Sequence, residues 1–138
     1  MRIMAVDYGD VRTGVALSDI TGTLAGDART LTLTGKALVN AIAELAQSEN
    51  AGTVVVGCPR NMDGSYGPRA MKTIDFTEKL KNRGLPVVLR DERLTTVSAH
   101  AILNTQNKRG GKRKAIVDAV AASLILQEYL DYLHACGQ

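Results

Sequence analysis

Three widely spaced acidic positions carry the chemistry this chain could do: Asp7, the adjacent Asp91 and Glu92, and Asp118. Asp7 closes the apolar run Ile3–Val6. Side chains alternate along a strand, so Ile3, Ala5 and Asp7 share one face. A carboxylate on the face of a central strand is costly unless something pairs with it. A capping or turn aspartate is the simpler reading there. Asp118 lies within AIVDAVAASLIL, apolar on nearly every side. A helix that is apolar all round is buried, and Asp118 shares its stripe with Ala122 and Ile125. An i,i+4 pair with Lys114 would account for an exposed acid, but such a pair contributes only tenths of a kcal/mol. It does not explain an acid in so apolar a segment. Asp91 and Glu92 follow a short apolar run, at the strand end where open α/β sheets place ligands. The alternative for them is a solvated turn with internal ion pairs.

Taken together, Asp7, Asp91, Glu92 and Asp118 are oxygen donors suited to a hard divalent cation. Mg²⁺ and Mn²⁺ bind carboxylates and keep waters that substrate phosphates can replace. Two such ions about 4 Å apart can stabilise both the attacking and the leaving oxygen of phosphodiester hydrolysis. The chain has no HExxH motif, and His100 and His134 are its only histidines. Cations match a polyanionic substrate. Lys108, Arg109, Lys112, Arg113 and Lys114 surround Gly110-Gly111, and Arg12, Arg60, Arg69 and Arg93 flank the other candidate segments. Such residues bind phosphates by charge, with little sequence information. A solvated charge run is the alternative for the cluster, and neutralisation of Asp7 or Asp10 is the alternative for Arg12. The glycine-rich stretch Gly57–Pro68 could offer backbone N–H groups to phosphate.

The elements that must position these groups follow from the apolar pattern. Ile3–Val6 and Val15–Leu17 flank a polar turn with Gly9 and Gly14, which predicts a hairpin. Ala28–Leu33 predicts a third, edge strand. Helical spacing runs over Lys36–Glu49. Thr53–Val56 suits a buried parallel strand, followed by the Gly57–Pro68 loop. Pro68 opens a helix that runs to Arg83 and stops at Gly84. Pro86–Leu89 is a further strand, Thr96–Asn104 a helix, Thr105–Lys114 a polar loop, and Ala115–His134 the last helix. Hairpin strands followed by strands reached through helices predict an α/β fold with a mixed sheet.

A length of 138 residues fits one domain over 1–138 with a single core. Aromatic content is 4% with no Trp, which argues against a base-stacking platform for single strands. The net charge of +3 allows an anionic partner without demanding one. Cys58 and Cys136 form no CxxC pattern, so reduced thiols are expected. No leader or membrane-spanning run is read at the start of the chain, which points to a cytoplasmic protein without a membrane partner.

Four blocks carry a family resemblance: DYGDVRTGVALSD at Asp7–Asp19, VVVGCPRNMDGS at Val54–Ser65, DERLTT at Asp91–Thr96, and KAIVDAVAASLILQEYL at Lys114–Leu130. In order and spacing they resemble the YqgF family, also called RuvX, whose members are described as Holliday junction resolvases and pre-16S rRNA nucleases. The resemblance implies a ribonuclease H-like fold, with a five-stranded mixed sheet of order 3-2-1-4-5 and helices on both faces. It implies a metal-dependent nuclease whose catalytic carboxylates are Asp7, Glu92 and Asp118, with Glu92 preferred to Asp91. The implied substrate is pre-16S rRNA, with a pre-ribosomal particle as an implied partner and branched DNA as the alternative; a monomer and a homodimer are both compatible. Val11 stands where the family usually has Lys, and Cys58 where it has an apolar residue. Two other readings remain at this point. Sugar kinases and actin-like ATPases share the sheet, but close two such lobes over ATP. A non-catalytic RNA-binding assembly factor would keep the acids for folding.

Overall fold

The computed structural model describes residues 1–61, 63–91 and 110–137, with residues 110–117 described by backbone alone. Its elements are β1 (Arg2–Asp7), β2 (Thr13–Ser18), β3 (Ala25–Leu31), α1 (Gly35–Ser48), β4 (Ala51–Cys58), α2 (Pro68–Asn82), β5 (Val87–Asp91) and α3 (Gly110–Ala135). The five strands form one sheet in the order β3-β2-β1-β4-β5. β1 and β2, and β2 and β3, are antiparallel; β4 is parallel to both β1 and β5. This is the mixed sheet expected, and the order is the one the resemblance implied.

Alternation along β1 sorts its side chains between two cores. Met4 and Val6 join Val15, Leu17, Val54 and Val56 on one face, packed under Leu38, Ile42, Phe76 and Leu80 of α1 and α2. Ala5 joins Ala16 and Val55 on the other, packed under Ala122, Ile125, Leu126 and Leu130 of α3. Small strand residues let α3 lie close to the sheet. Ile125 is fully buried there, which is worth roughly 1.5–3 kcal/mol relative to exposure.

Several expectations need correction. β3 runs over Ala25–Leu31 instead of Ala28–Leu33, because pairing with β2 sets its limits and its own sequence alternates weakly. α3 begins at Gly110, five residues before the expected Ala115, so Gly110–Lys114 is helical and not loop. Once a helix is nucleated each added residue gains a backbone bond, and this outweighs the roughly 1 kcal/mol that each glycine costs. α3 is also not buried all round: Ala121, Ala122, Ile125, Leu126 and Leu130 are buried, but Val120 is 37% exposed. The helix Thr96–Asn104 lies outside the described residues.

Punctuation between elements matches the residues there. Pro68 occupies the first helical turn of α2, where a missing N–H costs nothing. Gly84, at φ +84°, takes the left-handed conformation that follows the helix end. In the β2–β3 turn the Asp19 carboxylate accepts hydrogen bonds from the Thr21 hydroxyl and from the N–H groups of Thr23 and Leu24. These bonds, the Thr21 hydroxyl foremost, hold its pKa below the usual carboxylate value. Among the described residues no helix is long and apolar enough to cross a membrane.

Candidate functional site

The site is built around Gly14. In the β1–β2 ladder Asp7 is paired with Gly14, next to the pair Ala5–Ala16. By alternation Asp7, Gly14, Ala5 and Ala16 lie on one face, the face that α3 covers. A Cβ at position 14 would stand 2.0 Å from the Asp118 carbonyl oxygen and 2.5 Å from its carbonyl carbon. The backbone of Asp118 therefore rests directly on Gly14. Only glycine permits that approach. The strand pairing brings Asp7 alongside, since directly opposed residues in an antiparallel ladder have Cα atoms about 4.5–5.5 Å apart. Two acids 111 positions apart in sequence thus meet over one glycine.

The two acids differ in setting. Asp7 is 6% exposed. Asp118 is less enclosed, and its Oδ2 lies 3.4 Å from the Nε of Arg12, with the two side chains 15% and 22% exposed. Arg12, in the turn between β1 and β2, thus pairs with Asp118, an acid other than the Asp7 or Asp10 expected for it. The turn is closed by Thr13, whose hydroxyl oxygen accepts the Gly9 N–H at 3.3 Å.

The neighbouring loops are tied to the same end of the sheet. β1 and β4 are parallel, so both finish there, and α2 follows from Pro68. The Arg69 guanidinium donates to the carbonyl of Tyr8, the residue after Asp7, at 3.2 Å. The Tyr8 ring stacks on Phe76 of α2 with centroids 4.4 Å apart. Lys72 lies 3.4 Å from Asp10. Asp7 is thus followed by a segment anchored through backbone, ring and charge to one helix.

Asp91 is elsewhere. It pairs with Cys58 in the β4–β5 register. Cys58 alternates with Val56 and Val54 on the α1–α2 face, opposite to Asp7. Its carboxylate lies 3.6 Å from Arg60. Arg90, one residue earlier, is on the α3 side, with its guanidinium 5.1 Å from the Tyr132 ring centroid. Burial pushes the Cys58 thiol pKa up, and the Asp91 charge pushes it the same way against a smaller opposing pull from Arg60. Cys58 is buried and Cys136 exposed, both as free thiols.

The structure therefore brings together Asp7, Asp118 and Arg12, with Arg69 beside them, and does not bring Asp91 to that face. Arg60 is engaged within its own loop and with Asp91. Glu92, Arg93, Lys108 and Arg109 lie outside the described residues. Lys112, Arg113 and Lys114 are described only as backbone in the first turns of α3. Among the described residues no group of three His, Cys, Asp or Glu is arranged to hold a metal. What the sequence reading missed is Gly14, taken there as a bend. The signal available was its place opposite Asp7 in the hairpin, since a glycine facing a strand carboxylate leaves room for a third element.

Comparisons with known proteins agree with this architecture. The sequence model of the RuvX family, described as Holliday junction resolvase, matches residues 1–132. A protein of Halothermothrix orenii named "Putative pre-16S rRNA nuclease" is 46% identical over 134 residues, covering 96% of both chains. A protein of the same name from a Nocardioides species is 45% identical over 140 residues, covering 97% of this chain and 90% of the relative. Among solved structures, Thermus thermophilus RuvC superposes with a TM-score of 0.56 at 10% identity, over 98% of this chain and 97% of that one. RuvC of the same organism in complex with a Holliday junction substrate gives a TM-score of 0.52 at 11% identity, covering 91% of each chain. At that identity the likeness is one of fold.

Proposed function

This chain belongs to the RuvX family, and from that membership we propose a metal-dependent nuclease that hydrolyses phosphodiester bonds in 5′-end processing of pre-16S rRNA. The observation that carries the proposal is the seating of Asp118 on Gly14, beside Asp7. A site for a hard cation needs converging oxygen donors on a rigid frame. Two carboxylates on facing elements, with a glycine between them instead of a side chain, fit that need. Glu92 is the third acid in this reading. It is preferred to Asp91, which lies on the other sheet face and is engaged by Arg60.

When bound, Mg²⁺ or Mn²⁺ supplies Lewis-acid stabilisation of charge at phosphorus and a more acidic water. The protein's own groups do the rest. Asp7, Glu92 and Asp118 would hold the cation by their carboxylate oxygens. Arg12 orients Asp118 and offsets its charge in the protein without metal. Arg69, Arg93, Lys108, Arg109, Lys112, Arg113 and Lys114 supply positive charge for the nucleic-acid backbone. Free thiols and an RNA substrate fit a cytoplasmic protein. Branched DNA is the second reading, favoured by the description of the family as Holliday junction resolvases.

The test is cleavage by purified protein of pre-16S rRNA ends and of four-way DNA junctions, side by side at one stated salt concentration, with and without Mg²⁺ or Mn²⁺. Divalent-dependent cleavage is expected, with the RNA ends preferred, and both Asp7→Asn and Asp118→Asn should abolish it. Unchanged cleavage by both variants would remove the catalytic assignment. A preference for junctions would move the substrate to branched DNA. No cleavage of either substrate, with tight RNA binding retained, would leave a non-catalytic assembly factor.

A further inference from the structure

The loop after β4 leaves the sheet at the end where Asp7 lies and holds an aromatic ring in the open. Tyr66 is 49% exposed. Its ring lies under the Arg60 guanidinium, whose central carbon is 4.5 Å from the ring centroid. Arg60 is itself fixed. Its Nε donates to the Gly64 carbonyl at 2.9 Å, its Nη2 donates to the same oxygen, and its Nη1 lies 3.6 Å from Asp91 at the end of β5.

The residues just before Tyr66 are fixed as well. The Asn61 N–H donates to the Ser65 carbonyl at 2.9 Å, and the Gly64 N–H to the Asn61 carbonyl at 2.8 Å. The Asp63 carboxylate accepts both the N–H and the hydroxyl of Ser65. The chain thus orders a short surface loop with side-chain and backbone bonds, and presents at its end a ring that stays half in solvent.

We propose that Tyr66 is a stacking platform for one unpaired nucleobase, which makes the substrate of this site a nucleic acid with a single-stranded segment next to the cleaved bond. This rests on the nuclease reading and adds to it a preference for strand state. Three features support it. Residues 59–61 leave the sheet at the end where Asp7 lies, because β1 and β4 are parallel. A guanidinium fixed against the ring adds positive charge beside the base, suited to a polyanion. The ordering cost is met before the ligand arrives, so little is lost on binding. A base within a duplex is stacked on its neighbours and does not present a free face to the ring; an unpaired base does. Composition alone argues against a stacking platform; the exposure of this one ring and the fixed Arg60 beside it carry the case instead. Tyr132 is as exposed, at 51%, but sits 14 residues beyond Asp118 on α3, about 21 Å along the helix.

The experiment measures binding of a short fluorescein-labelled single-stranded RNA and of the same sequence as a blunt duplex, in EDTA so that neither is cut. Wild type should favour the single strand. Tyr66→Leu should weaken single-strand binding about 5- to 100-fold and leave duplex binding within twofold, while Tyr66→Phe and Tyr132→Leu behave as wild type. Thermal melts confirm that each variant is folded, as expected for exposed positions. If Tyr66→Leu binds the single strand like wild type, or Tyr132→Leu loses as much, the platform is refuted and the nuclease reading stands. If wild-type protein binds neither RNA form and cuts nothing in the presence of Mg²⁺, both readings fall together.

Discussion

Gly14→Ala is the sharpest perturbation the structure offers, because it adds one methyl group and touches no charged side chain. The new Cβ would lie 2.0 Å from the Asp118 carbonyl oxygen, 2.5 Å from its carbon and 3.3 Å from the Ala119 nitrogen, whereas ordinary contact begins near 3.4 Å. All three atoms are backbone of α3, so no rotamer change relieves the clash; the helix must withdraw by more than 1 Å. Overpacking of this kind costs about 1–3 kcal/mol. At about 3 °C per kcal/mol for a chain of this size, the melting midpoint should fall by roughly 3–9 °C. The effect on cleavage should be larger in proportion, since a displacement of about 1 Å in a reacting constellation costs on the order of 100-fold. The control is Ile125→Ala, in the same helix and fully buried. It should cost more stability, about 2–5 kcal/mol, yet retain most activity at a temperature where it is folded. The assay pairs thermal melts with divalent-dependent cleavage for the two variants. Should Gly14→Ala melt and cut like wild type, the contact between Gly14 and Asp118 does not organise the site.

Two further outcomes follow from described contacts. A double-mutant cycle with Arg12→Ala and Asp118→Asn, read by urea denaturation, should give a coupling of about 0.5–1 kcal/mol, since the pair is partly exposed and 3.4 Å apart; zero coupling would mean the two charges do not support each other. Burial raises the Cys58 thiol pKa above 9.0, so the unfolded chain loses that proton first as pH rises. Stability should be unaffected by this group below about pH 9 and decline above it, and Cys58→Ala should flatten the decline; identical alkaline limbs would discount the burial.

The residues that were legible in the sequence are those whose signal is local. Ile3, Ala5 and Asp7 share a face by simple alternation, and Pro68 and Gly84 mark the two ends of α2. The burial of Ala122 and Ile125 below Asp118 followed from helical spacing. The strand order came from the family resemblance, because the order of strands in a sheet leaves little trace in composition. What was not legible depends on long-range register. Asp91 stood beside the preferred Glu92 as a partner for Asp7, until the β4–β5 pairing put it opposite Cys58. Arg12 had two candidate acids, Asp7 and Asp10, and its pairing with a third, Asp118, depends on where α3 crosses β2. The start of α3 was hidden by Gly110-Gly111, which locally read as a break.

The two cores have different histories as the chain is made. All five strands, together with α1 and α2, precede α3 in synthesis. A chain elongating from its amino end can therefore pair its sheet and fill the α1–α2 side while Ala5, Ala16 and Val55 still face water. Asp118 enters with the helix that covers them. Translation cut short before α3 leaves that sheet face without the helix that packs on Ala5, Ala16 and Val55, and leaves only one of the two converging acids. Closure of the second core and completion of that pair are one event.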